Sequence, residues 1–233
     1  MPWAVCAVLA LTITACSSED GSAATTTDIP SAASLVSTAL RNAVNSGWVH
    51  EVDLTTGKGQ SLSMVNDIGS SEGRQVIVAD GGHATVIVLD GKAYIRGDVK
   101  AIASYFELPS SDPAQLAGKW ISLVPSDPEY SAVSDAVTLR SDFNQIKLEG
   151  PFSKASVSLG GQDVTAIHGY VPGPSSNSRV RAVLDITAEG TILPVAFQAS
   201  DGQLTESLRW SKWGDAVSLV APQDPKPVSQ LGG

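Results

Sequence analysis

His50, His83 and His168 are the only histidines in this 233-residue chain. Zinc chemistry needs nitrogen and sulfur ligands at spacings such as His-x3-His or His-Glu-x2-His. These three stand tens of residues apart, so no metal site is expected and each reads as a strand or surface residue. General acid–base work would need two carboxyl groups facing one bond. Asp98, Asp112, Asp127, Glu129, Asp135 and Asp142 supply carboxylates in the middle of the chain. Their scatter reads as a solvated acidic face. Serine and threonine are abundant, yet none sits beside a His and an Asp in a recognisable local pattern. The phosphate-cradling P-loop and dinucleotide fingerprints are also missing. The residue types therefore predict no catalytic residue and no cofactor.

Lys and Arg number 15 against 24 Asp and Glu, a formal net charge of −9. Without a basic cluster the chain lacks the electrostatic footprint of a phosphate-backbone binder, so nucleic acid is excluded as an expected partner. With 42% hydrophobic and 17% charged residues, the composition is that of a globular protein. Both cysteines, Cys6 and Cys16, fall in the first sixteen positions. A disulfide framework is thereby excluded, and the domain must fold on its core alone.

The run from Val5 to Ile13 is almost continuously apolar, about the length of a signal h-region and too short for a membrane-spanning helix. It closes on Ile13-Thr14-Ala15-Cys16. That ending resembles the lipobox of bacterial lipoproteins, which implies cleavage before Cys16 and attachment of diacylglycerol to its thiol. No Lys or Arg precedes the run, a departure from the basic start of most signals. Residues 1–15 are thus expected to be a signal peptide. Residues 16–30 are expected to be a lipidated cysteine and polar tether, residues 31–222 one folded domain, and residues 223–233 a frayed Pro/Gly-rich tail.

Within the domain, Ser31 can cap a helix reaching about Asn45, because Val36, Leu40, Ala43 and Val44 follow a 3.6-residue period. The period then changes to two. Strands are expected at 48–54, 60–65, 74–78, 84–89 and 92–96, with Asp90-Gly91 as a two-residue hairpin turn. Short helices follow at 99–106, 113–117 and 130–143, around residues 120–123. Strands return at 155–159, 164–170, 180–187, 193–199, 204–210 and 216–220. About eleven strands result, too many for a flat open sheet, and the helices must cover the apolar face. The expected fold class is α+β: a curved antiparallel sheet with helices on its concave face.

Several local signatures occur in order along this framework. Asp90-Gly91-Lys92-Ala93-Tyr94-Ile95 leads to Leu116-Ala117-Gly118-Lys119-Trp120-Ile121-Ser122-Leu123. Leu193-Pro194-Val195-Ala196-Phe197 is followed by Leu208-Arg209-Trp210-Ser211-Lys212-Trp213-Gly214-Asp215-Ala216-Val217. Behind a lipobox, this set resembles the LolA-like superfamily, in particular the actinobacterial LppX and LprG type of lipoprotein, over roughly residues 31–222. The resemblance implies a half-barrel with a helix-capped apolar cavity and a lipid or glycolipid carried in the cell envelope, without catalysis. It also implies a membrane anchor through Cys16 on the outer face.

The apolar residues placed to line such a cavity are Val86, Val88, Tyr94, Leu116, Trp120, Val133, Val137 and Leu139. The same residues can equally fill the core. Trp210 is expected to pack on the sheet and Trp213 to stand exposed at its turn. An envelope protein docking at a sheet edge or at the Trp213 turn is the alternative partner.

Overall fold

The computed structural model describes residues 30–57, 59–106, 108, 112–173 and 178–231. The segments expected to be the signal peptide, the lipidated Cys16 and nearly all of the tether lie outside them. Helix α1 (Ala32–Val44) starts where the capping signal lies: the Ser31 hydroxyl accepts a hydrogen bond from the Ser34 amide at 3.1 Å. Its Val36, Ala39 and Ala43 recur three and four residues apart, and all three are buried.

Five antiparallel strands follow, β1 (Trp48–Gly57), β2 (Gln60–Gly69), β3 (Gly73–Ala79), β4 (Gly82–Leu89) and β5 (Lys92–Gly97). The β3–β4 and β4–β5 turns are Asp80-Gly81 and Asp90-Gly91. Both residues of each turn have positive φ, the mirror-image turn whose twist suits a two-residue hairpin. Helices α2 (Val99–Tyr105) and α3 (Pro113–Leu116), strand β6 (Ile121–Leu123) and helices α4 (Tyr130–Asp135) and α5 (Leu139–Gln145) form the middle insertion. Five strands close the sheet: β7 (Glu149–Leu159), β8 (Gln162–Pro172), β9 (Arg179–Thr187), β10 (Pro194–Ser200) and β11 (Leu204–Ser211).

The sheet runs β12-β6-β5-β4-β3-β2-β1-β11-β10-β9-β8-β7, where β12 is Lys226–Pro227. Every pairing is antiparallel except β12 with β6. It is an open half-barrel, since β12 and β7 at its two ends do not pair with each other. β6 lies near one edge and β7 at the other, so the chain between them must cross the sheet. Helices α4 and α5 make that crossing over the inner face, which gives the sheet its roof. Two apolar clusters hold the layers together. One joins α1 and α5 to β8–β11 through Phe143, Ile167, Leu184 and Phe197, and the other joins α2–α4 to β4–β6 through Val86, Ile95, Ile121 and Val137.

The structure differs from the sequence reading at four places, the first being that the one helix expected at 130–143 is two, α4 and α5, broken at residues 136–138. Residues 216–220 form no strand, and Val220 is 77% exposed. β11, which precedes that segment, and β1, whose Trp48 carbonyl accepts from the Gly214 amide, already have partners on either side, which leaves no free edge to pair with. Two short strands, β6 and β12, bring the described total to twelve. The expected frayed tail is instead docked. The Lys226 amide donates to the Trp120 carbonyl at 2.8 Å, and Val228, 3% exposed, fills the apolar cluster with Leu231 beside Leu123. An edge strand with unpaired groups and a gap in the core together offset the entropy of ordering those residues.

Candidate functional site

Adjacent strands place their inward residues in rows across the sheet. One row runs Trp210, Glu51, Asn66, Gln75, Val86, Ile95, Ile121 from β11 through β1–β6. Its β4–β6 half is aliphatic, as an inner face should be. Its β1–β3 half is polar, and Glu51 and Asn66 are only 1% and 2% exposed. The Glu51 carboxylate accepts from Asn66 Nδ2 at 2.6 Å and from the Trp210 indole at 2.7 Å. Those partners satisfy both of its oxygens.

Three further carboxyl groups gather near it. Asp53 is two residues along β1, Glu206 on β11 faces Thr55, and Asp142 projects from α5. On that short helix Leu139, Asp142, Phe143 and Ile146 share the helical period, so an acid occupies a position on the buried side. Burial pushes Asp53 up to about 7, with the Glu206 and Glu51 charges adding to the effect. Asp142 is raised well above the usual carboxylate range by burial first and by the adjoining Glu51 second. Glu206 is raised for the same two reasons. Three oxygen atoms here have no hydrogen-bond partner among the described residues: Asp53 Oδ1, Asn66 Oδ1 and Asp142 Oδ2.

These groups line a cavity of about 690 Å³ floored by β1–β3, β10 and β11 and roofed by α5. Lys147, exposed, is the cationic residue in its lining. A second cavity of about 540 Å³ is lined by Ile77, Val86, Ile95, Phe106, Val133 and others from β3–β5, α2 and α4. Gln75 and Ala136 line both. The two are adjoining chambers, one acidic and one apolar. Gly73 permits their shared roof. A Cβ there would lie 2.6 Å from the Val137 carbonyl oxygen and 2.9 Å from the Val137 Cβ, so only glycine lets the α4–α5 connection rest on the sheet.

Of the eight cavity residues expected from sequence, Val86 and Val133 line the apolar chamber. Val88, Leu116 and Val137 are packed in the cluster around it, and Leu139 belongs to the other cluster. Tyr94 pairs with Ile87 and Ser122 on the opposite face of the sheet. Half-buried Trp120 sits beside β6 with the Arg96 guanidinium 6.0 Å from its ring. Trp210 packs on the sheet as expected. Trp213 does not stand exposed: its indole donates to the Pro194 carbonyl at 3.1 Å and its ring lies 5.6 Å from Phe143. That packing removes the Trp213 turn as a free docking point.

Glu51, Asp53, Asn66 and Glu206 are the residues sequence reasoning missed. The six acids it singled out also separate. Asp98 and Asp112 cap α2 and α3 and Asp127 binds the Val124 amide, whereas Asp142 turns inward. His50 pairs with Asp67 at 2.8 Å on the outer face of the sheet, beside Arg74. Gly69-Ser70-Ser71-Glu72-Gly73 has the Gly-x-Ser-x-Gly spacing of a hydrolase elbow. It forms the β2–β3 hairpin, with the Gly69 amide bonded to the Glu72 carbonyl at 2.9 Å. A nucleophile elbow requires strand, turn and helix.

The open half-barrel with a helical roof is a fold that solved structures share. No family model and no curated protein matches the chain. Among solved structures it is similar to LprF from Mycobacterium bovis, at a TM-score of 0.54 and 14% identity, over 82% of this chain and 96% of that one. It is also similar to the lipoprotein LppX of Mycobacterium tuberculosis, at a TM-score of 0.51 and 17% identity, over 81% and 99% of the two chains. At these identities the likeness is one of fold.

Proposed function

We propose that this chain is an exported lipoprotein, held to the outer face of a membrane through acylated Cys16, that binds and moves a lipid or glycolipid within the cell envelope without catalysing a reaction. The observation that carries this reading is the pair of adjoining chambers, each larger than the roughly 300 Å³ at which small-molecule sites begin. A filled core would have favoured a protein partner instead. Acyl chains leaving a bilayer for the apolar chamber exchange one hydrocarbon environment for another. At about 0.8 kcal/mol per methylene on either side, the transfer is nearly isoenergetic, and shape decides the cargo. Among the described residues no helix is long and apolar enough to cross a membrane, so the reading assigns the anchor to Cys16.

Native mass spectrometry of the chain purified from a host with envelope lipids, before and after solvent extraction, tests the proposal. A stoichiometric adduct of lipid mass that extraction removes supports it. A clean apo mass with no uptake from added vesicles overturns it.

A further inference from the structure

Resting on that lipid-binding reading, we propose that the acidic chamber is a headgroup site for a primary ammonium, so that the bound amphiphile carries an amine head in the acidic chamber and its chain in the apolar one. The orientation of Asn66 is the starting point. Its Nδ2 donates to Glu51 at 2.6 Å, and a flipped amide would set Oδ1 against the carboxylate, so Oδ1 must be the atom left over. It joins Asp53 Oδ1 and Asp142 Oδ2 as atoms without a hydrogen-bond partner among the described residues, and the two on Asn66 and Asp53 are acceptors. Asn66 and Asp53 are 2% and 5% exposed, and both line this chamber. Buried acceptors without donors are costly, and a ligand that supplies N–H groups removes that cost.

The charge points the same way. Glu51, Asp53, Asp142 and Glu206 face the cavity against Lys147. A phosphate or sulfate head would meet four carboxyl groups. A hydroxyl head would bring one donor per hydroxyl together with lone pairs of its own, and no charge to offset theirs. A primary ammonium brings three donors and one positive charge. A quaternary ammonium brings the charge without the donors. Among the described residues no three metal-ligating side chains converge well enough to hold a metal ion, which leaves an organic cation. The path for its chain is also in place, because Gln75 and Ala136 border both chambers and Val86, Ile95 and Val133 lie beyond them.

The test is isothermal titration of the full chain at pH 7.5 with four probes below their micellar concentrations: dodecylamine, dodecyltrimethylammonium, dodecyl maltoside and dodecyl sulfate. Dodecylamine is expected to bind at least tenfold tighter than each of the others. Asp53→Asn and Glu51→Gln should lower that ratio, whereas Glu189→Gln, which removes the same charge from an exposed turn, should not. Equal affinity for all four probes overturns the headgroup assignment and leaves lipid binding standing. A trimethylammonium probe as tight as the amine overturns the role of the orphan acceptors. Tightest binding of the maltoside or the sulfate overturns the ammonium assignment outright. No binding by any probe overturns both readings. The decisive comparison is made on the unaltered chain, so misfolding of a variant cannot obscure it.

Discussion

The acidic and apolar chambers share one sheet, one row of register partners and one helical roof, yet they differ in chemistry within a single strand spacing. On β4–β6 the row reads Val86, Ile95, Ile121, and each side chain is satisfied by contact alone. On β3, β2, β1 and β11 it reads Gln75, Asn66, Glu51, Trp210, and two of those residues must bond the third to make its burial tolerable. The backbone ladder is indifferent to this change, because strand hydrogen bonds do not depend on side-chain polarity. What changes is the occupant each chamber favours. Burial on the acidic side, with the Glu51 charge adding to it, raises the pKa values of Asp53, Asp142 and Glu206, and burial on the apolar side only removes hydrocarbon from water.

The sharpest way to break the contrast is to carry the acidic chemistry across the border. Val86→Asp buries a carboxyl beside Ile95 with the Gln75 amide as its one polar neighbour along the row, at a cost of about 3 kcal/mol. Urea denaturation should show that loss, together with loss of alkyl-chain binding. Next in size is Gly73→Ala, whose methyl must push away Val137 and with it the roof over both chambers. A loss of about 1–3 kcal/mol is expected for such overpacking, read by the same denaturation.

The third change relieves the acidic side. Asp53 titrates near 7 in the folded protein against 3.8 as its ordinary value, so the native state holds the extra proton between those limits. For this group, stability is greatest below about pH 4 and declines as pH rises through about 7. Asp53→Asn should flatten that decline and exceed the parent by about 1–2 kcal/mol at pH 8, since an unpaired buried charge is removed. Thermal melts between pH 4 and 8 read both the slope and its loss.

The smallest effect has the opposite sign. Asp98, half-buried at the start of α2, is held below its ordinary range by the hydrogen bond from the Ala101 amide, with the His83 amide adding to it. Its contribution is present above the ordinary carboxylate value and is lost as pH falls through the lowered one. Asp98→Ala should therefore lower the Tm slightly at pH 7 and leave it unchanged at pH 2.

Much of the frame was legible in the sequence because its signals are local. Ser31 and the period of Val36, Leu40, Ala43 and Val44 specify α1, and Asp90-Gly91 specifies its hairpin. The acidic chamber was not legible, because it is made by residues 51, 53, 66, 142 and 206, which only the strand register and the α5 crossing bring together. Alternation along β1 divides Trp48, His50, Val52 and Leu54 from Val49, Glu51 and Asp53. Apolar patterning alone would bury the first set. The structure buries the second, with Val52 and Leu54 outward at 38% and 43% exposure, because Asn66 and Trp210 supply partners that no one-dimensional pattern displays. Asp142 did carry a readable signal, its place within the Leu139, Phe143, Ile146 spacing. The docked tail lacked one: Pro225 and Pro227 resemble a linker until Val228 is seen to fill the core.

The central claim, that an acyl chain occupies the apolar chamber, is tested most directly by photo-crosslinking with a lipid carrying a diazirine near the end of its chain, followed by peptide mapping. The account predicts labelled peptides spanning residues 84–106 and 128–136, competed away by unlabelled lipid. Labels confined to the outer face, where Val52, Leu54 and Val78 are exposed, or no labelling at all, would contradict it.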